Sequence, residues 1–140
     1  MANERIMSDA QRALQLWPLL VFAARTNSVL SYDTVQEMTG LVRQNPNALG
    51  HIAFYCMKKR LPLLSSLVVN QKSGNPESEF YDGMDIAAEH RRCFVHDWLA
   101  AGKRPELEEL EQFWQVREDI KKDYLAERKR AAGAAVGAAV

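Results

Sequence analysis

The chain is poor in the residues that usually mark an active site, a metal centre or a secreted scaffold. It has two cysteines in 140 residues, Cys56 and Cys93, 37 positions apart. That excludes a disulfide framework and a cysteine-rich zinc module, and reads as two reduced, buried thiols of a cytoplasmic protein. It has three histidines. His90 and His96 flank Cys93 at three-residue steps, but each such step turns a helix by about 300°, so the two imidazoles end about 120° apart. They do not converge on one metal, and Asp97 does not repair the geometry. No glycine-rich phosphate loop is present: Gly74-Asn75-Pro76 is turn chemistry. No cysteine–histidine or carboxylate pair is marked by an orienting third group, so no catalytic residue and no cofactor is expected.

Long hydrophobic runs are also missing. The longest internal one, Leu16–Ala24, has nine residues and contains Pro18, too short to cross a bilayer. The first residues lack the basic flank and apolar stretch of a secretory signal. No membrane partner is expected. Net charge is zero, with 18 Lys/Arg against 18 Asp/Glu, which speaks against a strongly basic nucleic-acid binder. The charge is unevenly placed, however. Residues 1–75 hold 8 Lys/Arg and 4 Asp/Glu, and residues 76–140 hold 10 and 14. A basic N-terminal half could meet phosphate, although such a split also occurs on ordinary mixed surfaces.

What is there is mostly helical pattern. Hydrophobic content of 47% and charged content of 26% suit one globular domain of this length. Residues 3–26 repeat apolar side chains every three or four positions (Ile6, Ala10, Leu14, Trp17, Val21, Ala24), with a kink or restart expected at Pro18 and a stop at Asn27-Ser28. Ser31 is placed to cap a second helix, with Tyr32 or Asp33 as alternative starts, and Gly40 closes it as an expected left-handed cap. Asn45-Pro46 opens a third, which ends in Lys58, Lys59 and Arg60, cations suited to the C-terminal end of the helix dipole. Leu61-Pro62 breaks it.

Residues 66–70 read as a short strand, 72–75 as a turn, and Phe80–Tyr81 as a second strand of a β-hairpin. Two C-terminal helices follow, at about 84–100 and 105–131. The second carries acidic residues at 106–111, basic ones at 128–130, and an apolar stripe at Phe113, Val116, Ile120 and Tyr124. Trp98 and Trp114 read as packing between these two helices. Residues 132–140, an Ala/Gly tail, are expected to be flexible. The expected architecture is therefore α+β and mostly helical. It has a winged helix-turn-helix-like core at 31–76 with a short β-hairpin, an N-terminal helix, and a C-terminal helical pair at 84–131. One domain spans 1–131.

The stretch 31–76 resembles the DNA-binding module of alkylguanine-DNA alkyltransferases and alkyltransferase-like proteins. Ser31-Tyr32-Asp33 leading to Met38-Thr39-Gly40 stands where the family has a Thr-Tyr-Gly start and a helix ending in glycine. Ala48-Leu49-Gly50 is similar to the family's Ala-Val-Gly in its recognition helix. Val68-Val69-Asn70 and Gly74 follow the family's Val-Val-Asn and its glycine turn. The family's Pro-Cys-His-Arg is replaced by Leu64-Ser65-Ser66-Leu67, and its base-replacing arginine by Asn47. The resemblance implies the fold and a DNA-binding surface without the repair chemistry.

Carried over, it places Tyr32 near a phosphate and Asn45, Asn47 and His51 toward a groove, where asparagine can read adenine. Arg43, Lys58, Lys59, Arg60 and Lys72 would lie on backbone phosphates, the last on a wing. Each has a plainer reading: a cap or turn for the asparagines, a core aromatic for Tyr32, a solvent-facing helical residue for His51. The functional expectation is a non-enzymatic protein that binds duplex DNA. The rival is a protein-interaction module on the same fold, or a homodimer through helix 105–131, favoured by the zero net charge and by any exposed apolar stripe on that helix.

Overall fold

The computed structural model describes residues 7–40, 46–100 and 104–139. It is mostly helical, with one small sheet. Helix α1 (Asp9–Arg25) starts on a reciprocal capping box. The Ser8 hydroxyl accepts from the Gln11 amide at 3.1 Å, and the Gln11 side chain accepts from the Ser8 amide at 2.8 Å. Of the expected kink or restart at Pro18, the restart does not occur: Pro18 is exposed and α1 runs on past it. The helix stops where expected. Asn27 takes a left-handed φ of 55°, and the Ser28 amide reaches back to the Ala23 carbonyl at 2.8 Å.

The next elements also follow local chemistry. Strand β1 (Leu30–Ser31) leads into α2 (Tyr32–Thr39), where the Ser31 hydroxyl accepts from the Thr34 amide at 3.0 Å. Gly40 ends α2 with φ 70°, a conformation that favours glycine. Helix α3 (Pro46–Lys59) begins on Pro46 and ends at Arg60, whose φ is 58°. The Leu61 amide closes it on the Cys56 carbonyl at 2.9 Å.

Past α3 the chain departs from the expected hairpin. Leu64–Leu67 form a buried 3-10 turn, and β2 (Val68–Val69) pairs in parallel with β1, Leu30 opposite Val68 and Ser31 opposite Val69. Phe80–Tyr81 lie in a second 3-10 turn, Glu79–Tyr81, not in a strand. The cause is local to Asn70. Its side-chain carbonyl takes the amides of Lys72 and Ser73, and its backbone bonds Asn75 and Gly74, so the segment curls on itself and offers no returning strand.

Helix α4 (Ile86–Val95) is shorter than the expected 84–100. The Asp97 carboxylate takes the Leu99 and Ala100 amides, and Trp98 folds back to donate to the Cys93 carbonyl at 2.8 Å. The expected helix 105–131 is two helices, α5 (Leu107–Gln115) and α6 (Arg117–Ala139), broken at Val116. There Arg117 donates to the Trp114 carbonyl at 2.8 Å. Helix α6 also continues through Ala139, across most of the stretch expected to be a flexible tail.

Helix α3 is the centre of the molecule, with α1, α5, α6 and the first 3-10 turn packed around it. Ile52, Cys56, Leu16, Leu20, Leu63, Leu64, Leu67 and Leu110 are fully buried. Trp17 meets Tyr55 and Trp98 edge to face, at centroid distances of 5.5 and 5.8 Å. Trp98 thus packs on α1, and the expected packing of Trp98 and Trp114 between the two last helices is not what forms. Among the described residues, no helix is long and apolar enough to cross a membrane.

Candidate functional site

Of the described residues expected to meet DNA, Tyr32 and Asn47 line one cavity and Tyr32 and Lys72 another, whereas His51, Lys59 and Arg60 are engaged within the protein. Arg43 and Asn45 lie outside the described residues. His51 is the clearest correction: it is 4% exposed, because α3 is a core helix with neighbours on several sides. Its ring stacks on Trp114 at 4.2 Å, with an interplanar angle of 8°. Its Nδ1 lies 2.6 Å from the Asn47 carbonyl, which can only accept, so Nδ1 carries the proton. Burial lowers the pKa of His51, opposed by the Asn47 carbonyl and by Asp9 and Glu111. A neutral imidazole under an indole is not available to a groove.

The basic triplet is partly engaged within the protein. Lys59 pairs with Glu109 at 2.8 Å, and Arg60 pairs with Glu127. Lys58, Lys72 and Asn47 are exposed, with the Asn47 amide 3.5 Å from Asp9. Lys72 stands on the closed turn that replaces the wing. Tyr32 is half-buried, and its hydroxyl accepts from the Glu77 amide at 2.8 Å, tying the start of α2 to the 70–78 segment. Burial raises its pKa; the Glu77 amide opposes this and the Glu77 carboxylate adds to it.

What the fold does build is an aromatic cleft of about 620 Å³ beside α3. One wall is the α3 face of Leu49, Gly50, Ala53, Phe54 and Met57. Phe80, Tyr81 and Trp114 also line it, Trp114 lying against α3 at Gly50, His51 and Phe54, and Tyr32, Asn47, Glu77 and Ser78 complete the lining. Gly50 allows the wall to close up: a β-carbon there would meet the Trp114 ring at 3.0 Å. Trp114 is held flat between His51 and the Arg117 guanidinium, 4.4 Å from the ring centre. Phe80 packs on Tyr81 and Tyr124, with the Lys121 ammonium 6.0 Å from its ring.

Ser65 also lines the cleft. Its hydroxyl shares a 2.5 Å hydrogen bond with the Tyr81 hydroxyl, and both residues are buried. Burial raises the Tyr81 pKa, against the opposing Ser65 bond, so the pair is neutral at ordinary pH.

The turn that carries Ser65 is braced from α4. The Glu89 carboxylate accepts from the Leu63 amide at 2.8 Å, His90 bonds the Ser66 carbonyl at 2.8 Å, and Cys93 donates to the Leu63 carbonyl. The Ser66 hydroxyl donates to the Leu63 carbonyl at 2.7 Å. These polar groups are spent on holding backbone. Burial pushes Cys93 up to about 12 and raises Cys56 as well, so neither is a thiolate nucleophile. Ser65 has a phenol as its partner and no imidazole. Among the described residues, no group of His, Cys, Asp and Glu could hold a metal ion.

Comparisons with protein-family models, curated proteins and solved structures return no match. The likeness of residues 31–76 to alkyltransferases therefore stands on the quoted residues alone. The cleft was not visible in the sequence, although two of its members gave a signal. Gly50 interrupts an otherwise favourable helix, which marks close approach of a neighbour. Ser65 falls at the position where the resembling family has its cysteine.

Proposed function

We propose that the chain is a non-enzymatic binding module whose ligand seat is the aromatic cleft beside α3, taking a large apolar group from a protein partner. The supporting observation is the cleft itself. It has the volume of a ligand site, walls of aromatic and aliphatic side chains, and a few hydroxyls that can set orientation.

The winged-helix reading, with duplex DNA as ligand, is the second proposal. The helix pair α2–α3 preserves the order of a helix-turn-helix, and Asn47, Lys58 and Lys72 are exposed. Against it stand the buried His51, the internally paired Lys59 and Arg60, and the closed turn at Lys72.

Two titrations separate the readings. Indole and p-cresol, added to isotope-labelled protein, are expected to move the amide resonances of Gly50, Phe54 and Phe80 and the Trp114 indole resonance. Unmoved resonances at saturating fragment would refute the cleft. A labelled random duplex would bind with steep salt sensitivity between about 50 and 200 mM if DNA were the ligand. Flat anisotropy at the lower salt rejects the DNA reading.

A further inference from the structure

Two buried hydroxyls stand in the lining of the aromatic cleft, those of Ser65 and Tyr81, at 3% and 9% exposure. Each has one proton to donate and an oxygen that can accept. Burial raises the Tyr81 pKa, so both protons stay in place at ordinary pH. The 2.5 Å bond between the two oxygens uses one proton, whichever residue donates it. Among the described residues, that is the only hydrogen bond either hydroxyl makes. The lining therefore holds one buried O–H that no protein group receives.

Water can take this proton while the cleft is open to solvent. A purely apolar group that dries the lining removes the water and puts no acceptor in its place. A buried donor left unpaired carries a penalty of the same order as the gain from burying one large side chain. A group that binds well must bring an acceptor to this spot.

Among large apolar side chains this requirement is selective. Phenylalanine and leucine bring no acceptor, the indole of tryptophan is a donor only, and the sulfur of methionine accepts weakly. Tyrosine joins a ring suited to the apolar walls to an oxygen that accepts. Its own proton is satisfied as well, because three hydroxyls in contact can close a cycle in which each donates once and accepts once.

Resting on the cleft reading above, we infer that the group seated in the cleft is the phenol of a tyrosine from the partner protein, its oxygen receiving the free proton of the Ser65–Tyr81 pair. A second copy of this chain is poorly placed to supply it. The four tyrosines are all buried or half-buried in their own fold, and Tyr32 and Tyr81 line this same cleft.

The test compares p-cresol with toluene, which differ by one hydroxyl, on the full chain and on the Ser65→Ala/Tyr81→Phe double variant. Toluene needs only the apolar walls, so its binding to the variant also reports that the variant is folded. The ratio of the toluene to the p-cresol dissociation constant is expected to be about two- to tenfold larger in the unaltered protein, the size of one net hydrogen bond. On the unaltered protein alone, p-cresol is expected to shift the Tyr81 Cζ resonance of carbon-labelled protein well beyond the shift from toluene. A capped Ser-Tyr-Ser peptide is expected to move the same resonance, and Ser-Phe-Ser is not.

An equal ratio in the two proteins overturns the phenol assignment and leaves the cleft standing. Should the variant fail to fold, equal Cζ shifts from the two fragments do the same. Binding of p-cresol without binding of the tyrosine peptide overturns the partner as its source and leaves a free phenol. Failure of toluene, p-cresol and indole alike sinks the cleft reading itself. If sedimentation shows a dimer whose formation moves the Tyr81 resonance without peptide, a second copy is the occupant and the partner assignment fails.

Discussion

Replacing Gly50 by alanine tests the geometry of the cleft wall through two opposing free energies. Gly50 lies inside α3, where alanine is favoured over glycine by about 0.8–1.0 kcal/mol. The new β-carbon would sit 3.0 Å from Cζ3 and 3.5 Å from Cη2 of Trp114. The first contact is about half an ångström inside the optimum for carbon pairs. Trp114 cannot tilt freely, because His51 stacks on it at 4.2 Å and Arg117 lies 4.4 Å from its centre. Overpacking of this kind costs about 1–3 kcal/mol. The net expectation for Gly50→Ala is a loss of about 0–2 kcal/mol in urea unfolding, with weaker binding of indole in the cleft.

The decisive comparison is the same substitution in a Trp114→Ala background. The obstruction is gone there, and Gly50→Ala should stabilise by about 1 kcal/mol. The coupling between the two positions is then about 1–3 kcal/mol. If Gly50→Ala stabilises the unaltered protein by as much as it stabilises the Trp114→Ala variant, Trp114 does not press on Gly50 and the wall is wrongly described.

Two further outcomes follow from buried polar groups. Tyr81→Phe and Ser65→Ala each strand the other hydroxyl in a buried site and should cost about 1–3 kcal/mol, while the double variant should cost clearly less than their sum; additive losses in a double-mutant cycle would show that the pair is not bonded. For His51, burial holds the folded-state pKa below its ordinary value, so the unfolded chain binds its proton first. The stability contribution is complete above about pH 6.5 and is lost as pH falls through the folded value. Urea midpoints measured from about pH 7 to 5.5 should fall, and His51→Asn should fall less steeply over the same window. An equal slope in both would contradict a buried neutral imidazole.

Several features followed from the sequence alone because their causes lie within a few residues. Ser31 caps α2 through an amide three positions away, and Gly40 closes it because only glycine enters that backbone region at little cost. Pro46 starts α3 because its missing N–H is one the first turn does not use. Asn27-Ser28 ends α1 by bonds to the turn just before it.

Other features needed partners from elsewhere in the chain. A run such as Leu67-Val68-Val69 suits a strand but does not name its neighbour, and that neighbour proved to be Leu30–Ser31, more than thirty residues earlier. His51 carries no mark of burial in its own helix; Trp114, from α5, covers it. The break at Val116 separates two helices that share one continuous apolar pattern. Helical periodicity reports which side chains share a face but not which surface that face will meet. The cleft depends on this second kind of information. Its walls come from α3, the 3-10 turns and α5, and only packing brings Gly50, Phe80 and Trp114 to one place.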